Sequence, residues 1–306
     1  MTPLLSIQKV SKHFSAGKQK VEAVTDFSLT IHKGEIVGLA GESGCGKTTL
    51  GKILVRLLSA TSGQVFFNGL DIFNLSAQAM RDMRRQLQIV LQDPYGSLNP
   101  RLTVKEIVGE GLSIHKIAPG GLIEEALADV GLSSEFLDRH PHELSGGQRQ
   151  RVSIARALVL KPEFIVFDES VSALDISHQR QIITLLKDLQ KKHELTYLFI
   201  SHDLSILKAL ADRIGIMYRG RLVELGAAGD IVGAPQHPYT QALVSAIPIP
   251  DPIKERSRQR LILAGDPPGP TEIILGCQFH PRCQHAQRVC REQAPAFDGT
   301  LACHQP

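Results

Sequence analysis

Gly41-Glu42-Ser43-Gly44-Cys45-Gly46-Lys47-Thr48 fits the pattern G-x-x-x-x-G-K-[ST]; Thr49 follows, within the amphipathic stretch TTLGKILVRLL at 48–58. The apolar, β-branched run EIVGLA at 35–40 precedes it. A glycine-rich turn between a strand and a helix points successive backbone N–H groups inward, and the helix N-terminus adds partial positive charge. Phosphate oxygens suit such a cradle. Lys47 is placed to span the β- and γ-phosphates of a nucleotide, and Thr48 to offer its hydroxyl to Mg²⁺. The competing reading, a plain glycine-rich turn, does not account for the strand before and the helix after. Cys45 occupies a free position of the pattern and reads as a small space-filler. The expected phosphate-binding set is thus Gly41 through Thr49.

Farther along the chain, EFIVFDE at 163–169 is an apolar strand ending in two carboxylates. Asp168 is placed to hold the Mg²⁺ shell through water. Glu169 emerges at the C-terminal edge, where α/β sheets bind ligands, and can orient an attacking water. An acidic pair on a surface loop is the bland alternative, and the phosphate loop weighs against it. QLQIVLQ at 86–92 and TYLFISHD at 196–203 are further apolar runs, and DISHQRQIITLLKDLQKKH at 175–193 is amphipathic. Continuous apolar runs joined by such segments describe buried parallel strands with crossover helices. The expected fold is therefore α/β, a P-loop NTPase with a mixed, largely parallel sheet. LSIQKVSKHF and EAVTDFSLTIHKGE, at 5–14 and 22–35, alternate like antiparallel strands of a second β subdomain. Residues 93–145 are poor in strand signals and predict a helical insertion.

The chain has 306 residues, 42% hydrophobic and 21% charged, which excludes disordered, collagen-like and coiled-coil classes. A net charge of +3 is too even for a dedicated nucleic-acid binder. No apolar run approaches the ~20 residues that span a bilayer, and residues 1–14 lack the core of a signal peptide. The expectation is a soluble chain in the cytosol. The Arg84-Arg85 and Lys191-Lys192 pairs read as solvated helix faces. Eleven of the 17 prolines fall from Pro235 onward, six of them between Pro248 and Pro270. That stretch should lack interior strands and long helices, so a boundary is expected near 235, dividing a domain 1–235 from an extension 236–306.

Leu144-Ser145-Gly146-Gly147-Gln148 precedes RQRVSIARAL at 149–158, a second glycine-rich helix start and so a second anion-binding device. One nucleotide does not need two. This pentapeptide, between the phosphate loop and the Asp-Glu strand, resembles the signature of the ATP-binding-cassette (ABC) family. The resemblance implies that Ser145, Gly146, Gly147 and Gln148 cap the γ-phosphate of ATP bound on an opposing subunit. Further elements are similar and in order. Gln92 matches the glutamine that reaches Mg²⁺, and Ser172-Ala173-Leu174-Asp175 resembles the loop crossing the dimer seam. His202 matches the histidine that contacts the γ-phosphate, and Phe14 stands where the family sets an aromatic ring against adenine. Taken singly, each has a bland reading: a satisfied His or Gln, a core Phe, a capping Asp.

Residues 92–101 (QDPYGSLNPR), 237–243 (HPYTQAL) and 276–283 (GCQFHPRC) resemble ATPases of dipeptide, oligopeptide and nickel importers. Ser170 departs from the proline or alanine of that group, and Glu272 to Leu275 from its Pro/Ser-rich lead; neither position is a phosphate ligand. The resemblance implies an ATPase subunit energising peptide uptake, or alternatively uptake of nickel or another small solute. It also implies two permease subunits, a paralogous ATPase, an indirect solute-binding protein and a peripheral place on the cytoplasmic face of the inner membrane. A soluble cassette acting on nucleic acid or ribosomes would show a coiled-coil or zinc insertion or a second cassette, and none is present. Glu169 and His202 argue against a regulator that binds ATP without hydrolysing it.

Cys277, Cys283, Cys290 and Cys303 are separated by five, six and twelve residues. In a reducing compartment four thiols suggest sulfur ligation of a metal. Zinc ribbons use closer pairs, the wide spacing suits a [4Fe–4S] cluster, and the importer ATPases resembled here imply one. Zinc and free thiols stay open as alternatives, as do His280, His285 and His304 as ligands.

Overall fold

A computed structural model describes residues 2–17, 19–171, 175–248, 260–263, 265–266, 268–269 and 271–304. Strands β1 (Pro3–Ala16) and β2 (Gln19–His32) form an antiparallel hairpin. After β3 (Ile36–Ala40) and α1 (Lys47–Leu54), strands β4 (Ser62–Phe67) and β5 (Leu70–Asp71) complete a four-stranded antiparallel sheet, ordered β2-β1-β4-β5. Leu5, Ile7 and Val10 are buried while Gln8 and Lys9 face out, the one-sided burial that the alternating sequence predicts. Helix α2 (Ala77–Met83) leads to β6 (Leu87–Val90). Helices α3 (Pro94–Ser97), α4 (Val104–Ile114), α5 (Leu122–Asp129) and α6 (Gly146–Leu158) follow, and no strand occurs between 91 and 163 among the described residues.

The chain continues through β7 (Phe164–Asp168), α7 (Ile176–His193), β8 (Thr196–Ile200), α8 (Leu204–Leu210), β9 (Arg213–Tyr218) and β10 (Arg221–Ala227). A six-stranded sheet runs β10-β9-β3-β8-β7-β6, parallel throughout except for the edge strand β10. Side-chain alternation builds a core on each face. Ile165, Phe167, Tyr197 and Phe199 pack with α4 to α8, whereas Phe164, Val166, Leu198 and Ile200 pack with α1 and the antiparallel sheet. Burial on both faces explains why these strands read as unbroken apolar runs. Each buried Leu, Ile or Phe contributes about 1.5–3 kcal/mol, so the two cores fix the strand ends firmly.

Helix α9 (Ala228–Gly233) follows β10, and helices α10 (Pro238–Ser245) and α11 (Arg288–Glu292) belong to the C-terminal part. It folds back on the sheet: the Leu225 N–H donates to the Thr300 carbonyl at 2.7 Å, and the Ala302 N–H to the Val223 carbonyl at 2.9 Å. Phe279 is buried against Tyr218, His237 and Tyr239. Of the proline-rich stretch, residues 249–259, 264, 267 and 270 lie outside the described residues; those described from 260 to 269 form neither helix nor strand.

His237 caps α10, its Nδ1 accepting the Tyr239 N–H at 3.0 Å, and its own N–H donates to the Glu224 carboxylate at 3.0 Å. Burial pushes the imidazole down to about 4 from 6.5. Its stabilising contribution is complete above pH 6.5 and is lost as pH falls from 6.5 to about 4, because the unfolded chain takes up the proton first. The loss is roughly 3 kcal/mol. Urea unfolding at pH 7 and pH 4.5 should therefore show a smaller drop in His237→Asn, which keeps a cap acceptor and removes the titration; equal drops would exclude His237 as the cause.

Candidate active site

Four neighbouring parallel strands converge on one edge of the sheet. The phosphate loop follows β3, His202 follows β8, Glu169 follows β7 and Gln92 follows β6, all at C-terminal strand ends. Glycines shape the loop. Gly41 and Gly46 hold φ of +152° and +106°, and a Cβ would lie 2.2 Å from the Met217 carbonyl oxygen at the first and 2.0 Å from that of Ala23 at the second. The close approach of β9 and β2 thus requires glycine at both. The buried Lys47 ammonium donates to the carbonyls of Gly41 at 2.8 Å and Glu42 at 3.0 Å. Cys45 is buried beside it, with burial pushing the thiol up, as a space-filling residue would be.

The loop opens into a cavity of about 990 Å³ lined by Glu42 through Thr49, Gln92 and Glu169. The Thr48 hydroxyl donates to Asp168 Oδ1 at 2.9 Å. Burial pushes the Asp168 carboxyl up, with the Thr48 hydroxyl opposing. An oxygen-only pair with a buried carboxylate fits a hard divalent cation such as Mg²⁺. Glu169 adopts φ +46°, a left-handed conformation rare outside glycine that costs on the order of 1–3 kcal/mol and concentrates at functional sites. The turn aims its carboxylate sideways along the strand ends: Oε2 accepts Gln92 Nε2 at 3.1 Å and lies 3.3 Å from His202 Nδ1. Glu169 thus joins the two residues read from neighbouring strands.

Other expected residues stand apart. Phe14 is 40% exposed with the Lys12 ammonium 5.1 Å from its ring centroid, and it does not line the cavity; Val21, its partner in the β1–β2 register, does. Ser145 caps α6: its hydroxyl accepts the Gln148 N–H at 3.3 Å, and Gln148 Oε1 accepts the Ser145 N–H at 2.9 Å. Ser145, Gly146, Gly147 and Gln148 lie outside the cavity lining, so one chain does not unite its two anion-binding devices. Residues 172–174 lie outside the described residues. Asp175 caps α7, and the Ser177 hydroxyl and His178 N–H hold its carboxyl well below the usual range.

Cys277, Cys283, Cys290 and Cys303, with His280, His285 and His304, line one small void of about 20 Å³. Among the described residues, however, no three His, Cys, Asp or Glu form a group able to hold a metal ion, and burial pushes the Cys277 and Cys283 thiols up. As placed, the four thiols share that void without forming a ligand set.

Sequence reasoning missed two residues that grip the phosphate loop from far along the chain. Tyr239 accepts the Glu42 N–H at 2.8 Å, and Arg282 pairs with the Glu42 carboxylate at 2.9 Å. Pro268, Gly269, Thr271 to Ile274 and Gln278 supply part of the cavity wall. Separations of 197 and 240 residues leave no periodicity to detect; the only signal was that both lie in stretches resembling importer ATPases.

The family model described as ABC transporter matches residues 24–172, and one described as oligopeptide/dipeptide transporter, C-terminal region, matches residues 223–290. Similar proteins include YkfD, a putative oligopeptide transport ATP-binding protein of Bacillus subtilis, 48% identical over 99% of this chain and 95% of that protein. The oligopeptide transport ATP-binding protein OppF of the same organism is 52% identical over 84% of this chain and 86% of its own. Among solved structures, a dimeric post-hydrolysis state of the ATP-binding cassette MJ0796 with ADP and Pi is 30% identical. It covers 73% of this chain and 98% of that one, with a TM-score of 0.66.

Proposed function

We propose that this chain, which belongs to the ABC transporter family, is the ATP-hydrolysing subunit of an importer carrying oligopeptides or dipeptides across a membrane. The cassette motifs are shared by ATPases of this family whatever they transport; the match of residues 223–290 carries the peptide assignment.

In our reading the triphosphate settles on Gly41 to Thr49, and the Lys47 ammonium exchanges the carbonyls of Gly41 and Glu42 for phosphate oxygens. Mg²⁺, held by Thr48, Asp168 and Gln92, would neutralise phosphate charge when bound. Glu169 orients the attacking water and takes its proton; His202 steadies that carboxylate and faces the γ-phosphate. Adenine is assigned to Phe14. A second ATPase closes the site with its own signature, while Ser145 to Gln148 and Asp175 of this chain serve the partner's nucleotide. The exposure of Ser145 and Gly146 supports that division.

Among the described residues no helix is long and apolar enough to cross a membrane. We place the chain peripherally, on the cytoplasmic face, docked on two permease subunits through the surface bordered by Gln92 and α3 to α5. A paralogous ATPase completes the dimer, and a solute-binding protein delivers the peptide outside; no nucleic acid takes part. The [4Fe–4S] cluster remains a proposal for the four tail cysteines, and no step above depends on it.

Deleting the gene should abolish di- or oligopeptide uptake and leave nickel uptake intact. The reverse pattern would overturn the peptide reading. The tagged chain should co-purify with two membrane proteins and a second ATPase. Iron, sulfide and zinc analysis of the same anaerobic preparation decides the cluster, since absence of all three eliminates it.

A further inference from the structure

The phosphate loop and the cysteine-bearing tail are joined by a partly buried ion pair. Arg282 stands in the 3₁₀ turn His280–Arg282, directly before Cys283, and is 7% exposed. Its guanidinium donates to both oxygens of Glu42, with contacts of 2.9, 3.1 and 3.1 Å. Tyr239 holds the Glu42 N–H, and the Glu42 carbonyl accepts Lys47. Backbone and side chain of this one loop residue are thus tied at once to the tail and to the residue placed to grip phosphate. Around the pair, Tyr218, Tyr239 and Phe279 pack ring on ring.

A carboxylate in the second position of an anion cradle is electrostatically adverse, because it repels the incoming polyphosphate. A two-pronged guanidinium both cancels that charge and fixes where the side chain points, which a single ammonium would not do. We propose that Arg282 is a positioning residue for ATP. By neutralising Glu42 and holding it in place, it makes the folded tail a condition of tight nucleotide binding and links the cysteine region to the phosphate loop. The tail's share of the cavity wall points the same way, for the Arg219 guanidinium anchors that segment by donating to the Glu272 carbonyl at 2.6 Å. The inference rests on the ATPase reading above.

The test is a double-mutant cycle in the full chain, with Mg·ATP affinity read by calorimetry and hydrolysis by steady-state kinetics. Arg282→Met leaves Glu42 charged and unpaired. It should weaken ATP binding about tenfold or more and raise KM, while kcat at saturating ATP stays within about twofold. Adding Glu42→Gln should then restore affinity at least threefold, because it removes the unpaired charge. A residue that only packs predicts no such rescue, so a double variant as weak as Arg282→Met overturns the proposal, as does wild-type affinity in the single. Arg282→Gln runs the same cycle if the methionine variant does not fold. Failure of the wild-type chain to bind ATP at all would instead strike the ATPase reading, with Lys47→Ala as its separate control.

Discussion

Replacing Glu169 with glutamine should lower ATP hydrolysis by about 10²- to 10⁴-fold, the range a general base supplies, while ATP affinity stays within a few-fold of wild type. The amide has the size of the carboxylate and can occupy the same left-handed turn, so the strand end and the Gln92 neighbour are kept. It lacks the charge that polarises water and the basicity that takes its proton. Binding, which we assign to Gly41 through Thr49, should therefore survive the loss of chemistry. With the reaction stalled, the closed pair of ATPases should accumulate, visible as a doubled mass by light scattering in the presence of ATP. Steady-state turnover within threefold of wild type would remove Glu169 from its role.

Lys47→Ala should act one step earlier and weaken ATP binding about 10²- to 10³-fold, or roughly 3–4 kcal/mol. Lys47 is 3% exposed, and its ammonium is held by two loop carbonyls. Its removal takes away a charge-assisted contact to phosphate and a positive charge beside the incoming polyanion. The wild-type ammonium gives up the carbonyls of Gly41 and Glu42 to make that contact, which offsets only part of the loss. Calorimetry with Mg·ATP measures the effect, and a melting curve separates it from unfolding. Affinity within threefold of wild type would contradict the assignment of the loop. The two variants differ in a useful way, since one keeps ATP without turning it over and the other fails to hold it.

Most of the sheet and the row of polar residues at its strand ends were readable because local rules write them directly. EIVGLA, QLQIVLQ, EFIVFDE and TYLFISHD are apolar on both sides because both faces of the sheet are covered, and each functional residue sits at a strand end that the same run announces. Glu169 itself was legible, but its left-handed backbone was not; that conformation belongs to a turn between β7 and the loop after it and has no residue-type signal when the residue is glutamate. Phe14 was read from its place in the chain, and the register that pairs it with Val21, which lines the cavity, follows only from the folded hairpin; its assignment to adenine is a proposal. Likewise the spacing of four cysteines favours sulfur ligation, but spacing does not fix where thiols point. They share one void without forming a metal-holding group.

By itself, the sequence determined the α/β class, the phosphate loop, the Asp168–Glu169 strand end and the family resemblance, because each is encoded within a short window by periodicity, glycine placement and side-chain chemistry. Only the tertiary structure decided that Gln92, Glu169 and His202 meet, that Tyr239 and Arg282 hold Glu42, and that the tail walls the cavity beside the glycine-rich loop. Those contacts join segments as far as 240 residues apart, and they exist only once both faces of the sheet are buried and the tail has folded back beside β10.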